Sequence, residues 1–190
     1  MQIVIPTLDH LPGYIAALER GWSPDSQRGE VAAREELARL RLDELLFIQQ
    51  QQDREALGGP VTLPDGSQGA RIPGFKMWLW DGEFAGVISC RWQRGTTELP
   101  PHCLSHIGYN VVPWKQRRGY ATQALAQMLP LVRAEGLPFA EITTDPANHA
   151  SQRVIEANGG VLFERFIKPA SFGSTEGLRY RISLVPPEAP

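Results

Sequence analysis

The residues best suited to chemistry lie in VVPWKQRRGYATQAL, Val111 to Leu125, where an apolar strand is predicted to run into the start of a helix. The first backbone N–H groups of a helix have no partner within it, and the helix dipole adds positive charge there. Gly119 would let the backbone approach a phosphate closely, and Lys115, Arg117 and Arg118 could neutralise it. The pattern therefore predicts a local anion site.

Other phosphate-binding patterns are absent from the sequence. It contains neither GxxxxGK[ST] nor GxGxxG, so a magnesium-bound nucleoside triphosphate and a dinucleotide-binding fold are not favoured. Two alternatives remain at this point: a binder of another nucleotide phosphate, and a plain tight turn whose arginines are only solvated.

The order of residues in this stretch resembles the acetyl-CoA signature of the GNAT superfamily of N-acyltransferases. That signature has a strand-ending proline, Gln or Arg three residues later, and QxxGxA or QxxGxG; Pro113, Gln116, Gly119 and Ala121 have this spacing. Downstream, NHASQRVIEANGG, Asn148 to Gly160, resembles the superfamily's NxxSxxVxExxGF segment. The text HIGYNVVP is closest to a subgroup of predicted acetyltransferases, and more distantly to enzymes that acetylate the N-termini of ribosomal proteins.

The resemblance implies that acetyl-CoA is the cosubstrate. Its pantetheine arm would lie along the end of the strand, and its pyrophosphate on the N–H groups that begin the helix. The residues expected to bind it are Asn110, Val111, Val112, Gln116, Arg117, Arg118, Gly119, Tyr120, Ala121, Thr122, Asn148 and Ser151. The backbone N–H of Val112 would stabilise the negative charge on the thioester oxygen during attack.

Acyl transfer to an amine requires a proton acceptor, because a free alkylamine has a pKa near ~10. His106 stands seven residues before Pro113, where the ribosomal-protein subgroup has a glutamate, and it is predicted to be the base. The alternative is a half-buried histidine bonded to a neighbour. The superfamily's usual tyrosine acid is replaced by Ile155, so Ser151 is predicted to contact the sulfur. A first-turn helix hydroxyl is its alternative role.

Other features narrow the class of protein. His102, Cys103 and His106 lack a convincing fourth ligand, so no metal is predicted. Both cysteines, Cys90 and Cys103, are expected to be structural thiols. The net charge of −2 gives no basic field for nucleic acid or an anionic membrane. The N-terminal residues lack the features of a signal peptide and no apolar run approaches ~20 residues, so we expect a cytoplasmic protein.

The elements around these residues predict one α+β domain over residues 1–190, with a GNAT-like acyl-CoA N-acyltransferase fold. In that fold a mixed central sheet is flanked by helices on both faces. Residues 1–73 would supply a strand, helices and a loop, and residues 74–190 the hairpin and the CoA-binding core. A long helix is predicted from Gly29 to about Leu57, and a hairpin from Phe75 to Trp92 around Asp81-Gly82.

Together these expectations predict transfer of an acetyl group from acetyl-CoA to a primary amine by direct attack in a ternary complex. The acceptor, a small molecule or a peptide N-terminus, would lie under loops Gly58 to Gly74, Gln93 to Pro101 and Pro169 to Gly177. A non-catalytic acyl-CoA-binding module is the alternative, since the usual tyrosine is missing. The acyl group and the oligomeric state, with a homodimer among the options, stay open.

Overall fold

The computed structural model describes residues 1–185. The N-terminal part contains β1 (Gln2–Val4), α1 (Leu11–Glu19), α2 (Gly29–Leu42), α3 (Glu44–Gln49), β2 (Val61–Thr62) and β3 (Gln68–Gly69). The remainder contains β4 (Gly74–Trp80), β5 (Phe84–Arg91), β6 (Ile107–Val111), α4 (Tyr120–Ala134), β7 (Phe139–Thr144), α5 (His149–Glu156), β8 (Val161–Ile167) and β9 (Glu176–Ser183). The α+β order predicted from the sequence is present.

Two antiparallel sheets form the centre of the protein, one in the order β1-β4-β5-β6 and the other in the order β7-β9-β8. β6 and β7 are therefore edge strands that face each other. In the described chain a single backbone hydrogen bond links them, from His106 N–H to the Glu141 carbonyl at 2.9 Å. Beyond that bond the two edges form no ladder, which leaves an opening lined by unpaired backbone groups.

Successive side chains of the central strands point to opposite faces and pack into separate clusters. On β4, Leu79 packs in a cluster with Leu125 and Met128 of α4, whereas Trp78 packs on the other face, in a cluster that contains Tyr14 of α1. The rings of Tyr14 and Trp78 stack with centroids 4.4 Å apart. Helices thus cover both faces of this sheet, as the sequence predicted.

The predicted hairpin is present, with β4 and β5 paired around Asp81-Gly82. The predicted long helix from Gly29 to about Leu57 is wrong, because the chain leaves the helical conformation at Asp43 (φ −161°, ψ 100°). The Asp43 carboxylate accepts a hydrogen bond from Leu46 N–H at 2.8 Å and so begins a second helix. No helix in residues 1–185 is long and apolar enough to cross a membrane.

Candidate active site

The turn between β6 and α4 is the segment for which the sequence predicted an anion site. Arg117 and Gly119 both adopt left-handed backbone conformations, with φ of 62° and 75°. Gly119 precedes the first residue of α4, and no side chain caps the helix. The first intrahelical bond runs from Gln123 N–H to the Gly119 carbonyl at 3.0 Å. The N–H groups before Gln123 are therefore left for a ligand.

One basic residue of this turn is not available to a ligand. Lys115 is buried, and its Nζ lies 2.6 Å from Asp81 Oδ1 and 3.2 Å from Glu83 Oε2. Tyr120 donates its hydroxyl hydrogen to Asp81 Oδ2 at 2.7 Å. Burial raises the pKa of Asp81, but the hydrogen bonds from Lys115 and Tyr120 outweigh it and lower that pKa to about 2. Lys115 therefore fixes the turn to the β4–β5 hairpin, and its predicted phosphate role is wrong.

Along β6, the backbone N–H and C=O groups of successive residues point alternately toward β5 and toward the opening. Arg91 N–H donates to the His106 carbonyl at 2.9 Å, and Val112 N–H donates to the Ala85 carbonyl at 3.0 Å. In an antiparallel ladder every second residue pairs with the neighbouring strand. His106 and Val112 are both even-numbered, so the backbone groups of the intervening odd-numbered residues, Ile107, Tyr109 and Val111, face the opening.

This alternation shows that the predicted oxyanion donor, the N–H of Val112, is wrong. Val112 N–H is already used by Ala85 and cannot also meet a thioester oxygen, whereas Val111 N–H points away from β5. The Val111 carbonyl accepts a hydrogen bond from Gln116 Nε2 at 3.2 Å, which holds the turn against the end of β6. Asn110, also predicted to bind the cofactor, donates from Nδ2 to the Ser23 carbonyl at 2.8 Å.

The two downstream predictions, Asn148 and Ser151, lie at the start of α5. Asn148 caps this helix, with Oδ1 accepting from Ser151 N–H at 3.1 Å. Ser151 Oγ lies 2.8 Å from the hydroxyl of Tyr109 on β6. Burial raises the pKa of Tyr109 to about 12, against the opposing effect of its hydrogen bond to Ser151. Sequence reasoning missed Tyr109, although it belongs to the strand predicted to line the pantetheine arm.

A cavity of about 910 Å³ extends from this pair across the face of the first sheet, beneath α2 and the β2–β3 segment. It is lined by Tyr109, Ser151 and Thr144, the last residue of β7. Thr144 is buried, and its hydroxyl has no hydrogen-bond partner in residues 1–185. A buried hydroxyl normally has a partner, so this position is suited to a bound ligand or water.

His106 is buried between the two sheets. Its Nδ1 accepts a hydrogen bond from Glu141 N–H at 3.0 Å, and its ring packs edge-on against Phe139. Burial lowers the pKa of His106; the nearby Arg91 and Arg181 also lower it, while Glu141 raises it. The ring is therefore neutral near pH 7 and its lone pair is occupied. This geometry favours the alternative role of a strand residue bonded to its neighbour, and the base role requires the bond to Glu141 to break.

Cys90 is buried in the core, and Cys103 is half-buried. Burial raises the pKa of the Cys90 thiol to about 12, so it stays protonated and unreactive. Cys103 Sγ lies 3.5 Å from the Ser105 carbonyl oxygen. No cluster of three metal-ligating side chains is found in the described part of the chain, residues 1–185.

Residues 30–161 match the family model described as acetyltransferase (GNAT) domain. This match spans more than half of the chain, which therefore belongs to the GNAT acetyltransferase family. A search of curated proteins finds no significant match.

Solved structures confirm the predicted fold. A probable acetyltransferase has a TM-score of 0.61 at 14% identity, covering 95% of this chain and 91% of that chain. The ribosomal alpha-N-protein acetyltransferase RimL in complex with coenzyme A has a TM-score of 0.57 at 14% identity, covering 95% and 92%. The putative acetyltransferase yncA from Salmonella typhimurium, with its cofactor acetyl-CoA, has a TM-score of 0.55 at 13% identity, covering 100% and 96%.

Proposed function

We propose that the protein transfers an acetyl group from acetyl-CoA to a primary amine by direct attack in a ternary complex. The opening between β6 and β7 carries this proposal, because it joins the anion-binding turn to the Tyr109–Ser151 pair. Two similar folds, RimL and yncA, hold coenzyme A and acetyl-CoA respectively, which supports this choice of cosubstrate. We also propose that residues 1–190 act as one domain.

The cofactor would bind mainly through backbone groups. Its pyrophosphate would accept hydrogen bonds from N–H groups of the segment Arg117 to Thr122, where the helix dipole favours negative charge. The pantetheine amides would pair with the exposed backbone of Tyr109 and Val111, as an added strand pairs with a sheet edge. Val111 N–H would then donate to the thioester oxygen and stabilise the charge that develops there.

The leaving thiolate would be stabilised by the Tyr109 hydroxyl, with Ser151 holding that hydroxyl in place. As the amine nitrogen bonds to the carbonyl carbon, the carbon–sulfur bond breaks and its electron pair stays on sulfur. A thiol with a pKa near ~8.5 holds its proton less tightly than Tyr109, whose pKa is about 12. Tyr109 therefore stabilises the thiolate as a hydrogen-bond donor and keeps its own proton.

The proton lost by the amine also needs an acceptor. Since the lone pair of His106 is occupied, we propose that water in the cavity accepts this proton and that His106 positions the two sheets. Thr144 lines this cavity, and its unpaired hydroxyl would hold such a water.

The direct test combines binding with turnover. Acetyl-CoA should raise the melting temperature by binding the native state, and free thiol should be released when a panel of primary amines is added. The panel should include small metabolites and peptides with a free N-terminus. Binding without thiol release for any amine would favour the non-catalytic CoA-binding module. Absence of any thermal shift at saturating acetyl-CoA would remove the basis of the proposal.

A further inference from the structure

We infer that the amine acceptor carries an anionic group, a carboxylate or a phosphate, which binds Arg91 in the cavity beside β6. This inference rests on the proposed acetyl transfer, because it names the class of amine that the cavity selects.

The sheet register places Arg91 at the floor of the cavity. Lys76, Ser89 and Gly108 form a row across β4, β5 and β6. Arg91 lies two residues beyond Ser89 on the same face of β5, and its Nη2 is 3.3 Å from Ser89 Oγ. A Cβ atom added to Gly108 would come within 2.7 Å of that same Nη2. The missing side chain at Gly108 therefore leaves room for the guanidinium to reach over β6.

Elsewhere on the cavity wall, Arg28 pairs with Glu35 and Lys168 with Asp145. Near Arg91, three cations share two carboxylates. Arg71 lies 3.6 Å from Asp53. Arg39 and Lys76 lie 3.4 and 3.9 Å from Oε1 of Glu36, whose other oxygen, Oε2, accepts a hydrogen bond from Tyr14. This part of the cavity wall therefore carries more positive than negative side chains.

Arg91 has no carboxylate within 4.0 Å in residues 1–185, and Ser89 is its side-chain hydrogen-bond partner there. The excess of positive charge also affects the pKa of Lys76. Burial is the first cause that lowers the pKa of Lys76, Glu36 opposes it, and Arg39, Arg71 and Arg91 each lower it further. Such a site attracts an anion and repels an acceptor whose only charge is positive.

A second, independent feature of this cavity is an unsatisfied polar group on its wall. Gln51 lines the same cavity and is only 4% exposed. Its Nε2 donates to the Phe47 carbonyl at 2.9 Å, but its Oε1 has no partner in the described residues. A buried acceptor left unpaired costs ~1–3 kcal/mol, so a bound molecule with an N–H or O–H group would satisfy it.

The cavity is continuous from this cluster to the proposed reaction centre at Tyr109 and Ser151. Gly108, beneath the Arg91 guanidinium, directly precedes Tyr109 on β6. The side chains of Arg91 and Tyr109 lie on opposite faces of β6, and the cavity joins the two sides through the opening between β6 and β7. An acceptor that carries an amine and an anionic group in one small molecule can occupy both parts of this cavity, so small amino acids and amino-phosphates are the expected class.

The test compares matched acceptors at saturating acetyl-CoA. β-Alanine is paired with β-alaninamide, and phosphoethanolamine with ethanolamine, which separates a carboxylate from a phosphate. We expect kcat/KM to favour the anionic member of at least one pair by 10-fold or more. Arg91→Gln should bring that ratio close to 1, and Arg91→Lys should keep most of it. Arg94→Gln is the matched control, because Arg94 pairs with Glu55 and lies outside this cavity.

Two outcomes would overturn the inference: a neutral member that is used as well as its anionic partner, or an equal loss for both members in Arg91→Gln. A binding arm separates this failure from failure of the proposed function. N-Acetyl-β-alanine and its amide are titrated into the CoA-saturated protein, where only the acid should bind measurably and only when Arg91 is present. Absence of turnover with every amine would reject the proposed function, while the binding arm would still decide the inference.

Discussion

The turn before α4 and the cavity on the face of the first sheet present different kinds of groups to a ligand. The turn presents backbone N–H groups, and its buried lysine, Lys115, forms an ion pair with Asp81. The cavity presents side chains, of which Arg91, Gln51 and Thr144 have unused hydrogen-bonding or charge capacity. The turn should therefore tolerate changes of side chain but not of backbone conformation, whereas single side chains should decide what the cavity accepts.

The largest expected effect is at the place where the two regions meet. Tyr109→Phe removes the hydroxyl proposed to stabilise the thiolate, and loss of one such donor lowers kcat by ~100-fold. Acetyl-CoA affinity should change little, because the backbone of Tyr109 is retained. Steady-state kinetics with separately measured acetyl-CoA binding provide the test. Tyr180→Phe is the matched control, since its hydroxyl bonds Glu156 at 3.3 Å, away from the cavity. An unchanged kcat in Tyr109→Phe would place the chemistry elsewhere.

A smaller effect tests whether acetyl-CoA binding depends on the backbone conformation of the turn. Gly119→Val forces a β-branched residue into a left-handed conformation at φ 75°, which costs ~1–2 kcal/mol, and should weaken acetyl-CoA binding by ~10-fold. Gly136→Val introduces the same strain at φ 88° beyond the other end of α4, where nothing lies within 4 Å. Both variants should lose similar stability in urea, but only Gly119→Val should lose affinity by calorimetry.

The same experiment includes a side-chain variant of the turn. Arg118→Ala should weaken acetyl-CoA binding less than Gly119→Val does, because the backbone path is unchanged. If Arg118→Ala has the larger effect, the turn binds through its side chains, and the contrast with the cavity is lost.

The sequence predicted the turn well because proline and glycine fix backbone conformation locally. Pro113 marks the end of the strand and Gly119 the residue before α4, and both positions are as expected. The hairpin at Asp81-Gly82 was predictable for the same reason. The long helix was not predicted correctly, because Asp43 can occupy a helix interior or begin a new helix, and only its bond to Leu46 N–H shows which.

The side-chain pairs of the site could not be predicted, since each depends on contacts between distant positions. Tyr109 and Ser151 are 42 residues apart, and Lys115 and Asp81 are 34 apart. The spacing of His106 from Pro113 suggested a base, but only the approach of β7 shows that its lone pair is occupied. Likewise, only the register of β6 with β5 shows that Val111 N–H, and not Val112 N–H, faces the opening.

The smallest expected effect concerns His106, which lies between the two sheets at the closed end of the opening. A histidine whose pKa is lowered on folding stabilises the protein fully above its unfolded pKa near ~6.5. Below that pH the unfolded chain binds the proton first, so stability is lost as the pH falls. His106→Gln keeps an acceptor for Glu141 N–H, should cost ~1 kcal/mol at pH 8, and should remove this part of the acid loss.

Urea denaturation of the wild type and of His106→Gln at several pH values between roughly 5 and 8, the range in which histidine titrates, measures this difference. The value of kcat is determined on the same samples. A positioning role predicts a changed pH dependence of stability with kcat lowered only a few-fold. A fall in kcat of ~100-fold at unchanged stability would instead return His106 to the role of base, as general-base loss has effects of that size. The proton lost by the amine would then pass to His106 between the two sheets. The cavity would determine which acceptor binds, without taking part in proton transfer.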